Sequence, residues 1–118
     1  LFMQNIEIWH NPQCSKSRNA MELLEAKGLN TSVIKYLENV PTKEQIKAVL
    51  KKLNMKASQI LRTGEDIYKE LNLKEIDDED KLIEIMAEHP ILIERPIIIK
   101  GEIAVIARPI ENLEELLK

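Results

Sequence analysis

Apolar positions along the first third of the chain change their spacing twice, and this predicts a strand, a helix and a second strand. Residues 6–9 form a short apolar run between polar neighbours, which is typical of a buried strand. Residues 15–27 carry apolar side chains at helical spacing, and Gly28 follows where a left-handed helix cap is favoured. Residues 31–37 form a second strand-like run before Pro41 breaks the pattern.

The remaining pattern predicts a helical middle, a hairpin and a final helix. Thr42 and Gln45 have the spacing of a capping box, and one apolar face continues from there to Asn54. Short helical patterns cover residues 57–73 with a break at 62–64, and an amphipathic stretch covers residues 78–88. Two strand-like runs, 97–99 and 103–107, flank a tight-turn sequence, and a leucine-rich segment predicts a closing helix.

This order of elements indicates an α/β fold. A strand-helix-strand unit joined to an antiparallel hairpin predicts a mixed four-stranded sheet flanked by helices, with a helical insertion at about residues 42–89. That arrangement is thioredoxin/glutaredoxin-like. The length of 118 residues suits a single domain over residues 3–118, and we expect Leu1 and Phe2, which precede Met3, to be an expression remnant.

Charge and composition argue against several functional classes. The 17 basic and 20 acidic residues are interspersed and give a net charge of −3, which disfavours nucleic-acid binding. No apolar run approaches the roughly 20 residues of a membrane span, and no signal peptide is recognisable, so we expect a cytoplasmic protein without membrane contact. A single cysteine excludes an internal disulfide and suits a reducing compartment. We also expect a monomer.

Cys14, the only cysteine, is the leading candidate for chemistry. It follows the first predicted strand and directly precedes the first predicted helix, whose free N–H groups and positive end would stabilise a thiolate. The alternative is that Cys14 is merely a small buried apolar residue. Its polar, turn-forming neighbours and the positive charges of Lys16 and Arg18 favour the reactive nucleophile.

Two neighbours of Cys14 qualify this chemistry. Ser17 occupies the position of the second thiol in a Cys-x-x-Cys pair, so Cys14 needs an external thiol to resolve its adducts. The Ser17 side chain can at most donate a hydrogen bond to the sulfur. His10 could transfer protons or lower the thiol pKa through its charge, or it could simply bond to nearby backbone.

Three arginines are candidates for binding an oxyanion. Arg62 lies in a helix-breaking segment, and Arg95 and Arg108 lie at the outer ends of the hairpin strands, which makes them neighbours at one sheet edge. Guanidinium groups suit anions with several oxygens, although each arginine could instead be an ordinary solvated charge. The Arg95-Pro96 bond could be cis, facing Cys14, although most such bonds are trans. Two distant histidines and one cysteine offer no metal-ligand spacing, so we predict no metal and no bound cofactor.

These residues together resemble the glutaredoxin-coupled arsenate reductases, the ArsC family, to which Spx-like proteins are related. The resemblance covers nearly the whole chain. It is carried in order by His10-Asn11-Pro12-x-Cys14-x-x-Ser17-Arg18, Tyr36-Leu37-Glu38-Asn39 with Pro41, Leu61-Arg62, His89-Pro90-Ile91-Leu92-Ile93, Arg95-Pro96-Ile97 and Arg108-Pro109.

The resemblance implies that Cys14 attacks arsenic, that Arg62, Arg95 and Arg108 hold the oxyanion, and that His10 and Ser17 tune the thiolate. It further implies glutathione as co-substrate, glutaredoxin as reducing partner and arsenite as product. Two alternatives stay open. One is a glutathione-dependent thiol oxidoreductase with another substrate, and the other is a binding module like the regulators of this fold, although Ser17 excludes their usual Cys-x-x-Cys switch.

Overall fold

The computed structural model describes residues 5–118, and within that range four strands form one mixed sheet. The strands are β1 (Ile6–Trp9), β2 (Thr31–Ile34), β3 (Ile97–Lys100) and β4 (Ile103–Ile106). Their order is β2-β1-β3-β4, with β1 parallel to β2 and antiparallel to β3, and with β3 antiparallel to β4. This is the thioredoxin-like arrangement, so the predicted fold class is confirmed. The expectation for Leu1 and Phe2 lies outside the described residues.

The second strand ends earlier than its sequence pattern predicts. The prediction extended it to Leu37, but β2 stops at Ile34. The backbone N–H groups of Glu38 and Asn39 both donate to the carbonyl of Lys35, at 2.9 and 2.8 Å, and this turn takes the chain out of the sheet. Tyr36 is fully buried just after the strand, so its apolar signal reflects packing in the following turn.

The helices lie close to where the sequence places them. Within residues 5–118 they are α1 (Ser15–Ala26), α2 (Lys43–Leu53), α3 (Asp66–Glu70), α4 (Glu79–Glu88) and α5 (Glu111–Leu116), with short 3-10 turns at Ala57–Gln59, Leu73–Glu75 and Pro90–Leu92. Gly28 follows α1 with a φ of 65°, a conformation that favours glycine. Asp78 caps the start of α4, and His89 ends it. None of these helices has the length and apolar character that crossing a membrane would require.

Contacts along the chain divide it into two compact units. The first contains the residues up to Asn39 together with Arg95–Lys118, and so holds the sheet, α1 and α5. Its core forms where one face of the sheet meets these two helices, because alternate residues of a strand point to the same face. The buried residues of this cluster are Ile6, Ile8, Ala20, Leu24, Ile98, Ala107 and Leu113.

The second unit, Val40–Glu94, contains α2, α3, α4 and the 3-10 turns. Its core comes mainly from the apolar faces of α2 and α4, which pack against each other. The buried side chains of these two helices are Ile46, Val49, Leu50, Leu53, Leu82, Ile83, Ile85 and Met86. The unit therefore has an apolar core of its own.

Thr42 begins α2 with the capping box that the sequence predicts. Its hydroxyl accepts the Gln45 N–H at 3.1 Å, and its own N–H donates to the Gln45 side chain at 2.9 Å. Replacing Thr42 with Ala should lower the free energy of unfolding by about 1 kcal/mol because an N–H group at the helix start loses its partner. Urea unfolding checks this, with Thr42→Ser as a matched control that keeps the hydroxyl. Equal losses in both variants would contradict the capping role.

Candidate active site

The sheet register places the candidate residues of the first unit at one edge. Trp9, the last residue of β1, pairs with Ile97 at the start of β3, and Ile97 pairs with Ile106 at the end of β4. The segment after β1 carries Cys14, while Arg95 lies two residues before β3 and Arg108 two residues after β4. Three segments that are distant in sequence therefore meet where the strands end.

The loop between β1 and α1 is folded by its own hydrogen bonds. The Cys14 N–H donates to the carbonyl of Asn11 at 3.0 Å, and the Gln13 N–H donates to the Asn11 side-chain oxygen at 3.0 Å. Arg18 reaches back from the first turns of α1 and donates to the Pro12 carbonyl at 2.9 Å. Cys14 is then the N-cap residue of α1, with the extended backbone that this position requires.

The Cys14 sulfur lies among hydrogen-bond donors although its residue is only 8% exposed. Burial by itself raises the pKa of the thiol, but the backbone N–H groups of Ser17 and Lys16 and the side chains of Arg95 and Arg108 lower it to about 7. The Arg108 Nη2 atom is 3.4 Å from Sγ. A large fraction of the thiol is therefore ionised at neutral pH, which is the reactive form.

The two hairpin arginines are direct neighbours. Arg108 Nε donates to the backbone carbonyl of Arg95 at 2.7 Å, which orients the guanidinium while Nη2 points to the sulfur. Asn112 in α5 holds the backbone on this side, because its side-chain amide donates to the carbonyls of Ile106 and Arg108 at 3.0 and 3.3 Å. The peptide bonds preceding Pro96 and Pro109 are both cis.

The hydroxyl of Ser17 forms hydrogen bonds to other partners than the one predicted from the sequence. That expectation allowed at most a hydrogen bond to sulfur, but Ser17 Oγ lies 2.6 Å from His10 Nδ1 and accepts the Asn11 N–H at 3.0 Å. The backbone N–H of Ser17, rather than its hydroxyl, bonds to Cys14. Burial, followed by the charges of Lys35 and Arg18, lowers the pKa of His10. The lowered pKa favours the neutral imidazole, in which Nδ1 can accept a hydrogen bond from the Ser17 hydroxyl.

Arg62, the third predicted oxyanion ligand, belongs to the helical unit and makes two ion pairs there. Its Nε atom lies 3.1 Å from a Glu65 carboxylate oxygen, and its Nη1 atom lies 2.6 Å from a Glu94 carboxylate oxygen. Its backbone N–H donates to the Leu92 carbonyl at 2.8 Å. Arg62 is thus a half-buried, partnered cation, and its carboxylate partners were not predicted from the sequence.

Sequence reasoning also missed the structural importance of Asn11 and Asn112. Asn11 is only 4% exposed and bonds to three different residues of the loop and helix. Its position before Pro12 is a turn signal in the sequence, but its bonding partners depend on the folded loop. The sequence around Asn112 does not indicate its role, because its partners, the carbonyls of Ile106 and Arg108, precede α5 and come within reach only in the folded chain.

The described residues contain no candidate metal site. No group of three His, Cys, Asp or Glu side chains among them is arranged to hold an ion.

The alkylation of Cys14 should follow the titration of its thiol. Because the thiolate is the nucleophile, the iodoacetamide rate should rise with pH, reach half its maximum at about pH 7 and fall tenfold per unit well below that. A free cysteine reaches its midpoint near pH 8.5, about 1.5 units higher. Mass spectrometry of the intact chain gives the rate, since no other cysteine is present. A midpoint at or above that of glutathione would show that the donors do not stabilise the thiolate.

Comparisons with known proteins identify the family of the chain. Residues 9–116 match the ArsC family. The chain is 42% identical over 117 residues to the arsenate reductase of Neisseria meningitidis, covering 98% of this chain and all of the relative. It is 40% identical to the Escherichia coli protein YfgD, over 96% of this chain and 97% of that protein. The structure of an arsenate reductase from Vibrio cholerae superimposes with a TM-score of 0.92 at 42% identity, covering 97% and 98% of the two chains. With its thiol and arginines on a thioredoxin-like sheet, the chain belongs to the ArsC family.

Proposed function

We propose that this protein reduces arsenate to arsenite with Cys14 as the nucleophile. The observation that carries the proposal is the Cys14 sulfur held by two guanidinium groups and the N-terminal N–H groups of α1. Such a site provides a thiolate together with positive charge that can bind an anionic substrate. Without that positive charge, the negative thiolate and the negative substrate would repel each other. Relatives named arsenate reductase support the substrate.

In the first proposed step, the thiolate of Cys14 attacks the arsenic of arsenate. A sulfur–arsenic bond forms, and one oxygen leaves as water after it is protonated. Arg95 and Arg108 bind the remaining oxygens, whose negative charge increases as the bond forms. Neutral His10 and the Ser17 hydroxyl lie beside the nucleophile's loop, where they hold the segment in place. Arsenic remains As(V) at this stage.

Reduction then requires two electrons from thiols outside the chain, because Cys14 is its only cysteine. We propose that glutathione displaces a second oxygen as water and forms a sulfur–arsenic bond of its own. A glutaredoxin thiolate attacks the glutathione sulfur, which produces a mixed disulfide and leaves the electron pair on arsenic as As(III). Hydrolysis of the Cys14–As(III) bond releases arsenite and the free thiol. The reaction takes place without a bound cofactor and, in our proposal, in the cytoplasm on a monomer.

A coupled assay tests this proposal. Purified protein is mixed with arsenate, glutathione, glutaredoxin, glutathione reductase and NADPH, and arsenite is measured directly alongside NADPH consumption. We expect arsenite formation that depends on all thiol components and is lost in Cys14→Ser and strongly reduced in Arg95→Ala. Absence of arsenite above background with the unmodified protein would refute the proposal.

A second candidate function is favoured by the single thiol and its low pKa. A monothiol enzyme of this fold could remove glutathione from mixed disulfides, with Cys14 attacking the disulfide and free glutathione regenerating it. This reaction has no oxyanion, so Arg95→Ala should change it little when the variants are compared at a pH where the thiol is fully ionised, because Arg95 also lowers the pKa of the thiol. Turnover of a glutathionylated peptide, without arsenate reduction, would favour this second function.

The resemblance also assigns Arg62 to oxyanion binding, and a variant pair tests that assignment. If Arg62 binds arsenate, Arg62→Ala should raise KM for arsenate by about tenfold, since a hydrogen bond from a charged donor is lost. Glu65→Gln serves as the control because it weakens the ion pair but keeps the guanidinium. Equal and small effects of both variants on KM, with lower stability, would assign Arg62 a structural role instead.

A further inference from the structure

Asn11 has one hydrogen-bonding group that no residue of the described range 5–118 uses. Its backbone N–H donates to Ser17, its backbone carbonyl accepts from Cys14, and its side-chain oxygen accepts from Gln13. Within residues 5–118, these bonds leave the side-chain amide nitrogen, Nδ2, with no acceptor. A buried amide donor is usually satisfied, so an unused one in a largely buried residue calls for an explanation.

The direction of the side-chain amide is settled by its other atom. A backbone N–H cannot accept a hydrogen bond, so the atom facing Gln13 N–H must be the oxygen, and Nδ2 is the second atom of the same planar group. The amide therefore lies against the backbone of Gln13, the residue that precedes Cys14.

This nitrogen is also accessible. Asn11 as a residue is only 4% exposed, but its unpartnered Nδ2 atom is not fully buried. Since it has no partner within the described chain, it must retain contact with solvent. A hydrogen bond from Nδ2 to a ligand would leave in place the three bonds that hold the residue, because none of them uses this nitrogen.

We infer that Asn11 Nδ2 is a further substrate ligand, which donates a hydrogen bond to an oxygen of the tetrahedral oxyanion at Cys14. This inference rests on the proposed function and adds a neutral donor on the loop side of the sulfur, apart from the arginines of the hairpin. A neutral amide N–H gives the hydrogen bond a defined direction without adding charge to the site. Ionised arsenate oxygens can only accept hydrogen bonds, so a donor such as Nδ2 suits them. Asn11 is then a substrate-binding residue as well as a loop residue.

Three substitutions separate substrate binding from loop geometry. Asn11→Ser keeps an oxygen that can accept the Gln13 N–H but removes the amide donor. Asn11→Asp also keeps that acceptor and nearly the same shape, but it replaces the donor with a negative charge. Asn11→Ala removes both groups. If Asn11 only shapes the loop, Asn11→Ser should behave like the unmodified protein and Asn11→Ala should differ. Asn11→Asp repels an anion through its charge in either case, so the serine variant decides between the two roles.

The readout is protection of Cys14 from iodoacetamide by inorganic arsenate, measured at constant ionic strength without any reducing thiol. We expect Asn11→Ser to raise the half-protecting arsenate concentration about tenfold, because a hydrogen bond to a charged group is lost. Asn11→Asp should raise it further through repulsion of the anion. The alkylation rate without arsenate, compared at a pH where the thiol is fully ionised, should change less than about twofold in Asn11→Ser.

The possible failures are distinguishable. Unchanged protection in Asn11→Ser, whatever the result for Asn11→Asp, overturns the inference while leaving arsenate reduction intact. A change confined to the alkylation rate without arsenate also overturns it, since that result reports a displaced loop. If arsenate neither protects the unmodified protein nor is reduced by it, both proposals fail. If it is reduced and the Asn11 variants lose protection in the expected order, both stand.

Discussion

Replacing Cys14 with Ser should reduce arsenate reduction by at least about 1000-fold, to the background of the coupled assay. The serine hydroxyl is not ionised near neutral pH, so the thiolate that would bond to arsenic is absent. Losses of this size are typical when a nucleophile that acts together with its neighbours is removed. The other donors at the site are proposed to bind substrate but include no second thiol nucleophile, so they cannot compensate.

The Cys14→Ser experiment needs a control for folding. Serine has nearly the size of cysteine and suits the N-cap position of α1, so the unfolding midpoint should stay close to that of the unmodified protein. A second route to the same conclusion is alkylation of the unmodified protein with iodoacetamide, which can react with only one cysteine. Activity of more than a few per cent in the serine variant, free of contaminating reductase, would assign the chemistry elsewhere.

Replacing Arg108 with Ala should lower kcat/KM for arsenate by about 10- to 100-fold. Hydrogen bonds to charged groups contribute about 1.5–3 kcal/mol, and each 1.4 kcal/mol corresponds to a factor of ten. Arg108 donates both to the Cys14 sulfur and to the Arg95 carbonyl, so its loss removes one stabilising bond and frees its neighbour's backbone. The pKa of Cys14 should rise in the same variant because a donor to the thiolate is missing.

The matched substitution is Arg108→Lys, which keeps the charge but cannot form both hydrogen bonds at once. We expect activity between that of the unmodified protein and that of the alanine variant, with the thiol pKa still raised. The exposed Lys27, which follows the last residue of α1, provides a control for net charge, since Lys27→Ala removes one positive charge at the opposite end of that helix from Cys14. If Arg108→Lys fully restores both kcat/KM and the alkylation profile, charge alone would account for the role of Arg108.

Periodicity and turn chemistry were sufficient to predict the sheet and most helix ends. The capping pair Thr42 and Gln45, Gly28 after α1, and the hairpin at Lys100-Gly101-Glu102 each act through neighbours within a few residues, so their effect is visible in the sequence. The end of β2 was predicted three residues too late. The apolar Tyr36 extends the pattern, but whether a buried tyrosine lies in a strand or in a turn depends on its tertiary surroundings.

The candidate site was predictable in its main residues and not in its hydrogen bonds. Cys14 was evident from its position between a strand and a helix, and the adjacency of Arg95 and Arg108 followed from the hairpin. The partners of Ser17 were not predictable, because the loop must first fold to bring His10 and Asn11 to the hydroxyl. Bonds from a side chain to a distant backbone carry no signature at fixed spacing.

The fully buried hydroxyl of Ser17 bears on how such a protein could evolve into a dithiol enzyme. A single substitution to cysteine would supply a second thiol at the usual spacing, but sulfur is a poor acceptor for the Asn11 N–H and a poor partner for His10. Weakening two buried hydrogen bonds costs about 1–3 kcal/mol for each group left unsatisfied. A protein that evolves from using an external thiol to using an internal second thiol would thus pass through a variant with a lower free energy of unfolding, unless substitutions at the neighbouring positions came first.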